Sequence, residues 1–139
     1  MPVFPSYEWM AEFCERLESH EDATEVADAL DGVYRFVIDP AGPLEEQHVY
    51  DVSIRPTDEG PEVYVFGEDE EADKARLTMS TDYRRWQQLV RGELDVGMAV
   101  MLRRLRVSGD LTSLMGNVST ARPLVDSLHE VDTIWMEDL

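Results

Sequence analysis

The chain has 139 residues, enough for about one domain with a core of its own, and its 43% apolar content argues against a disordered chain. No run approaches the ~20 consecutive apolar residues needed to span a bilayer, which excludes stable membrane insertion through a helix. Residues 1–73 hold 21 Asp and Glu against three Arg, and residues 74–139 hold nine of each sign, so the whole net charge of -18 sits in the first half and makes nucleic acid and anionic membranes poor partners for that half.

One lysine, Lys74, stands against eleven arginines. Such acidity with almost no lysine resembles proteins of organisms that keep molar salt in the cytoplasm, where a Debye length of about 3 Å screens carboxylate repulsion. The competing reading is an acidic docking surface on the N-terminal half. The opening "MPVFPSYEWM" lacks a basic stretch followed by an apolar one, and a single cysteine excludes an internal disulfide. Both features predict a cytoplasmic protein.

Ser6 is placed to cap a first helix with the apolar stripe Trp9, Met10, Phe13, Cys14 and Leu17. A short second helix is predicted from Asp22, with Glu25 at the capping-box position, to Gly32. Strand signals follow. "GVYRFVID" sets Tyr34, Phe36 and Ile38 against Val33, Arg35 and Val37; "HVYDVSIR" sets Tyr50, Val52 and Ile54 against Asp51, Ser53 and Arg55. "PEVYVFGE" is apolar on both faces and leads into the charged turn "GEDEEAD". "KARLTMS" sets Ala75, Leu77 and Met79 against Lys74, Arg76 and Thr78. Short links between these four strands favour antiparallel hairpins.

Ser80 or Thr81 then caps a helix with Tyr83, Trp86, Leu89 and Val90 that closes on Gly92, and Asp95 opens another with Met98, Met101 and Leu102. "MLRRLRVSGDL" supplies a fifth strand, with Leu105 and Val107 inward and Arg104 and Arg106 outward. It breaks at Gly109, and Asp110 caps a helix with Leu111, Leu114, Met115 and Val118. A last helix carries Leu124, Val125 and Leu128, and the tail "VDTIWMEDL" is apolar enough to dock. Strands segregated from helices make residues 1–139 a single α+β domain with one sheet face covered by helices.

Catalytic chemistry has no foothold in this pattern. His20, His48 and His129 are isolated, no Cys or His stands at zinc spacing, and no Gly-rich phosphate loop, GxSxG or HExxH occurs. Asp51 and Asp110 are the only carboxylates pinned by pattern, and Asp110 reads as a helix cap. Cys14 lies on an apolar stripe and reads as a small core residue. The expectation is a protein that is not an enzyme and needs neither metal nor cofactor.

The segment "LTMSTDYRRWQQLVRGELDVGMAVMLRRLRVSGDLTSLM" resembles the sterol-carrier-protein-2 sterol-binding domain family, most strongly over residues 75–118. Carrying the likeness are Leu77-Thr78-Met79-Ser80, the helix from Asp82 to Gly92, Asp95 with Ala99 and Met101, and the basic strand from Arg104 to Asp110. The family pattern has Gly-Lys where this chain has Arg103-Arg104. The resemblance implies a twisted five-stranded sheet with helices on one face and an apolar tunnel between them. It further implies a carrier of fatty-acyl, sterol or isoprenoid lipid that does not transform its cargo. Some relatives hand lipids or quinone precursors to enzymes or act as dimerisation modules, so a homodimer is compatible with it.

The residues themselves add a weaker signal. Met79, Met98, Met101 and Met115 fall in the segments that would roof the sheet, beside Tyr83 and Trp86, and flexible methionines are frequent where varied apolar ligands bind. The plain alternative is an ordinary filled core at helical spacing. With the resemblance, the expected lipid-binding wall takes Phe36, Val52, Ile54, Leu77, Met79, Leu105 and Val107 from the sheet. From the helices it takes Tyr83, Trp86, Met98, Met101, Leu102, Leu111 and Met115. Arg103 and Arg104 are the expected head-group contacts. Ile134, Trp135 and Met136 are expected either to close the cavity as a lid or to dock as plain packing. A non-catalytic interaction or dimerisation module with a filled core and an acidic docking surface is the alternative function.

Overall fold

The computed structural model describes residues 1–110 and 118–139, with residues 118–121 described as backbone only. The body of the expected helix after Asp110, with Leu111, Leu114 and Met115, falls on residues 111–117, outside the described residues. Strand β1 (Val3–Phe4) leads into helix α1 (Tyr7–Glu18), α2 (Ala23–Leu30) and strands β2 (Gly32–Asp39), β3 (His48–Thr57), β4 (Gly60–Val65) and β5 (Leu77–Asp82). Helices α3 (Tyr83–Arg91) and α4 (Val96–Met101), strand β6 (Arg106–Gly109), helix α5 (Val118–Glu130), strand β7 (Ile134–Trp135) and a 3-10 turn (Met136–Asp138) complete it.

The Ser6 side chain accepts a hydrogen bond from the Trp9 amide at 3.0 Å and starts α1, whose buried stripe is Trp9, Met10, Phe13, Cys14 and Leu17. Burial, with Glu18 nearby, pushes the Cys14 thiol up to about 12, so it packs as an inert core group. Helix α2 forms where the periodicity places it, but Asp22 makes no side-chain cap.

The five-stranded sheet has the order β4-β3-β2-β5-β6. Pairs β2–β3 and β3–β4 are the expected antiparallel hairpins, and β5–β6 is antiparallel as well. Strand β5 departs from expectation: it crosses over and runs parallel to β2 instead of pairing with β4. The acidic segment after β4 is long enough for such a crossover. The new position seats Leu77 beside Tyr34 and Met79 beside Phe36 in the middle of the sheet, where both faces of the ladder are used. Strand β4, with exposed Glu62 and Tyr64, is left at the edge.

The helices cover the face that presents Tyr34, Phe36, Ile38, Val52, Ile54 and Leu77, all buried. The other face carries ion pairs, Arg35–Asp51 at 2.9 Å and Arg106–Asp39 at 3.1 Å. That gives the pattern-pinned Asp51 a partner across the strands. Neither Ser80 nor Thr81 caps α3: the helix begins at Tyr83, which leaves Asp82 at the capping position, and the Thr81 hydroxyl donates to the Arg104 carbonyl. Asp82 takes the role, accepting from the Arg85 amide at 2.9 Å.

Helix α4 ends in a Schellman motif. The Arg104 amide donates to the Ala99 carbonyl at 2.8 Å and the Arg103 amide to the Val100 carbonyl at 3.2 Å. This motif needs a left-handed residue, and Arg103, at φ +57°, is the one non-glycine with positive φ among the described residues. The conformation disfavours any residue with a Cβ. Arg103→Gly is therefore expected to raise stability by up to about 1 kcal/mol, read as an increased thermal midpoint.

The termini pair with each other, which the sequence did not foretell: Val3 aligns with Ile134 and Phe4 with Trp135 in a parallel two-stranded ribbon. Trp135 is buried against Phe4, Tyr83 and the Arg91 guanidinium. The Tyr83 hydroxyl donates to the Glu137 carboxylate at 2.6 Å, and Arg84 pairs with the same group at 2.7 Å. Burial pushes the Glu137 carboxyl up, but the Tyr83, Gln87 and Arg84 partners outweigh it and hold it below the usual range. Stabilisation of this kind is present above the unfolded value of about 4.3 and fades as pH falls through the lower folded one. Below about pH 4 the tail is expected to loosen first, seen as faster amide exchange at Trp135 and Met136 than in α1.

Candidate functional site

Between the sheet and helices α1, α3 and α5 lies an apolar cavity of about 90 Å³. Sheet residues Phe36 and Met79 form its floor, Phe13, Trp86, Leu89, Leu124, Val125 and Leu128 its helical walls, and Val96 and Leu105 its α4–β6 side. All ten are apolar. The Trp86 indole N–H, the one polar side-chain group among them, donates to the Val37 carbonyl at 2.9 Å. Every buried side-chain nitrogen or oxygen among the described residues has a hydrogen-bond partner. Such a lining offers a guest dispersion and water exclusion, and no proton donor or acceptor.

At its inner end the cavity meets an aromatic wall. Phe13 stacks on Trp9 at 6.0 Å and meets Phe36 edge-on at 5.9 Å, and Phe36 lies 5.9 Å from Trp86. Beyond them, among Phe4, Trp9, Met10 and Ile38, only about 10 Å³ stays empty. The open space is thus at the β5–β6 side. The larger surface grooves have charged walls: one carries Glu46, Asp51, Glu68 and Glu70, another Asp31, Arg55, Asp73, Lys74 and Arg76. Neither suits a hydrocarbon.

Of the residues expected at the wall, Phe36, Met79, Trp86 and Leu105 line the cavity. Val52, Ile54, Leu77 and Tyr83 are buried in the core beside it, and Val107 is half-buried next to Met79 in the β5–β6 ladder. Met98, Met101 and Leu102 are exposed on α4, with Arg103 and Arg104 exposed just after them. Leu111 and Met115 lie outside the described residues. Phe13, Leu89, Val96, Leu124, Val125 and Leu128 line the space although sequence reasoning did not assign them to it. Their signal was present, since Phe13 sits on the α1 stripe and Leu124, Val125 and Leu128 share a helical face, but it reads equally as core. Ile134 and Met136 are half-buried beside Trp135, and none of the three lines the cavity.

The SCP-2 sterol transfer family model matches residues 10–122. The chain belongs to this family. No curated protein sequence matches it. Among solved structures, sterol carrier protein 2 superposes with a TM-score of 0.71 at 19% identity, covering 91% of this chain and 98% of that one. A conserved protein of Thermus thermophilus gives 0.69 at 19% identity, over 93% and 90%. A ubiquinone synthesis protein gives 0.55 at 18% identity, over 82% and 90%. At these identities the superpositions establish the shared α+β fold. Membership in the SCP-2 sterol transfer family brings lipid binding and transfer with it. No described helix is long and apolar enough to cross a membrane.

Proposed function

We propose that this sterol-carrier-family chain is a carrier that holds one hydrocarbon chain, fatty-acyl, sterol or isoprenoid, in the cavity under the helices and releases it unaltered. The observation that carries the reading is a fully apolar lining around unfilled space. Packed cores rarely keep voids larger than a water, and this one is several waters in size. It is also smaller than the ~300 Å³ of a site for a drug-sized ligand, so a full acyl chain enters by displacing the lining. Met79, an unbranched side chain on β5, and the half-exposed Val96, Leu124 and Val125 are the groups suited to give way.

Each buried methylene gains about 0.8 kcal/mol, so a chain of about 14 carbons gains on the order of 11 kcal/mol. Immobilisation costs about 4–15 kcal/mol, which makes micromolar affinity the natural outcome for a transfer protein. Arg103 and Arg104 stand outside the cavity and would meet only a head group left at the surface. Native mass spectrometry after mild purification, with displacement of a fluorescent fatty acid, tests the carrier. A co-purified lipid or saturable displacement is expected. A protein free of lipid with no displacement at any concentration overturns it.

A further inference from the structure

Helix α4 carries no charge from Val96 to Leu102, and Ala99 is its one buried residue. Met98 is 48% exposed, Met101 78% and Leu102 52%. Eight large apolar residues are exposed among the described ones, and three of them fall within these five positions. That makes a patch instead of the scattered single residues expected of any surface.

Arg103 and Arg104 follow directly. Arg16, Arg35, Arg55, Arg76, Arg84, Arg91 and Arg106 each hold a carboxylate. Arg103 and Arg104, like Arg85 and Arg122, hold none among the described residues, but only Arg103 and Arg104 are adjacent to each other and to an exposed apolar patch. Asp95 caps the opposite end of α4 through the Met98 amide, and Asp39 is bound by Arg106. Arg103 also sits in the left-handed position where glycine is easiest, so its side chain is kept against a local conformational cost.

We propose that the C-terminal end of α4 is a docking surface for bilayers with anionic head groups, Met98, Met101 and Leu102 entering the interface and Arg103 and Arg104 meeting phosphates. Exposed apolar side chains flanked by arginine have the composition of an interfacial contact. The net charge of -18 does not forbid it. Strand order puts the patch at the β6 end and the edge strand β4, which leads into the acidic segment 67–73, four spacings away, about 19 Å at ~4.8 Å each. At about 0.15 M salt the Debye length is about 8 Å, so the local pair of cations governs contact. The position also serves the carrier reading on which this purpose rests. Val96 and Leu105, at the two ends of the patch, line the cavity, so a chain passing between bilayer and cavity here crosses little water.

The test is co-sedimentation with phosphatidylcholine vesicles, with and without phosphatidylglycerol, at about 0.15 M salt. The wild-type chain is expected to bind the anionic vesicles at least tenfold more tightly. Arg103→Glu with Arg104→Glu should erase that preference. Met98→Ser, Met101→Ser and Leu102→Ser together should weaken binding to both vesicles. Arg103→Gly guards against misfolding, because it should bind less while melting higher. Equal binding to both vesicles, no binding, or variants that bind like wild type overturn the proposal. So does a dimer that the Arg→Glu pair dissociates, which would assign the patch to a second copy. Vesicle binding without fatty-acid uptake keeps the docking surface and removes the carrier; uptake without vesicle binding does the reverse.

Discussion

Val125→Phe is expected to weaken fatty-acid uptake at least tenfold while leaving the fold intact. Val125 projects from α5 into the cavity wall beside Leu124 and Leu128, and about 90 Å³ stands empty in front of it. A phenyl ring placed there takes the room of the first methylenes of a guest chain. Losing two of them removes about 1.6 kcal/mol, more than the ~1.4 kcal/mol that equals a tenfold change. Overpacking a filled core costs about 1–3 kcal/mol, but here the added atoms enter vacant space. The thermal midpoint should therefore move little, or rise. Displacement titration and calorimetry on the same sample decide it: uptake that persists with the ring in place would show that the guest sits elsewhere.

Gly109→Ala should be among the most destabilising single-methyl additions in the chain. Gly109 has φ +111°, and a Cβ built there would lie 2.4 Å from the Arg76 carbonyl oxygen and 3.1 Å from the Leu77 Cα. Both contacts are to the backbone of β5 and the residue leading into it, which cannot swing aside. The adjacent Asp110 amide donates to that same carbonyl at 2.9 Å, fixing the close approach of β6 to β5. Strain in such a region costs about 1–3 kcal/mol before the clash is added, so a loss of about 3 kcal/mol or more is expected, near 10 °C in thermal midpoint. Gly60→Ala is the control. Gly60 has φ +122° with nothing within 4 Å, so it isolates the strain and should cost distinctly less. Equal losses at the two sites would refute the backbone clash.

Much of the fold was legible locally. The α1 stripe, the alternation in β2 and β3, Gly92 closing α3, Asp95 opening α4 and the turn at Gly109 all follow from side-chain spacing and backbone preference within a few residues. The site was legible only in part. Phe36, Met79, Trp86 and Leu105 were correctly placed on inward faces, yet Val52, Ile54 and Leu77 share those faces and fill the core instead. Inward direction is a property of period two or 3.6; whether an inward side chain meets a neighbour or a void depends on the element opposite. For α4 the periodicity misled in the other direction. Met98, Met101 and Leu102 are apolar at helical spacing, but a helix of six residues has one anchoring face, and Ala99 occupies it.

The sequence by itself determined the element types, the helix-covered sheet face, the acidic first half and the family, because each is written in local patterns or in one contiguous motif. Tertiary structure alone decided that β5 lies between β2 and β6, parallel to the first and antiparallel to the second, that the two ends of the chain pair, and that α1 and α5 wall the cavity. Those outcomes join segments far apart in the chain. Several apolar strands and stripes could have satisfied one another equally well on pattern alone, and only the joint burial of all of them selects one arrangement.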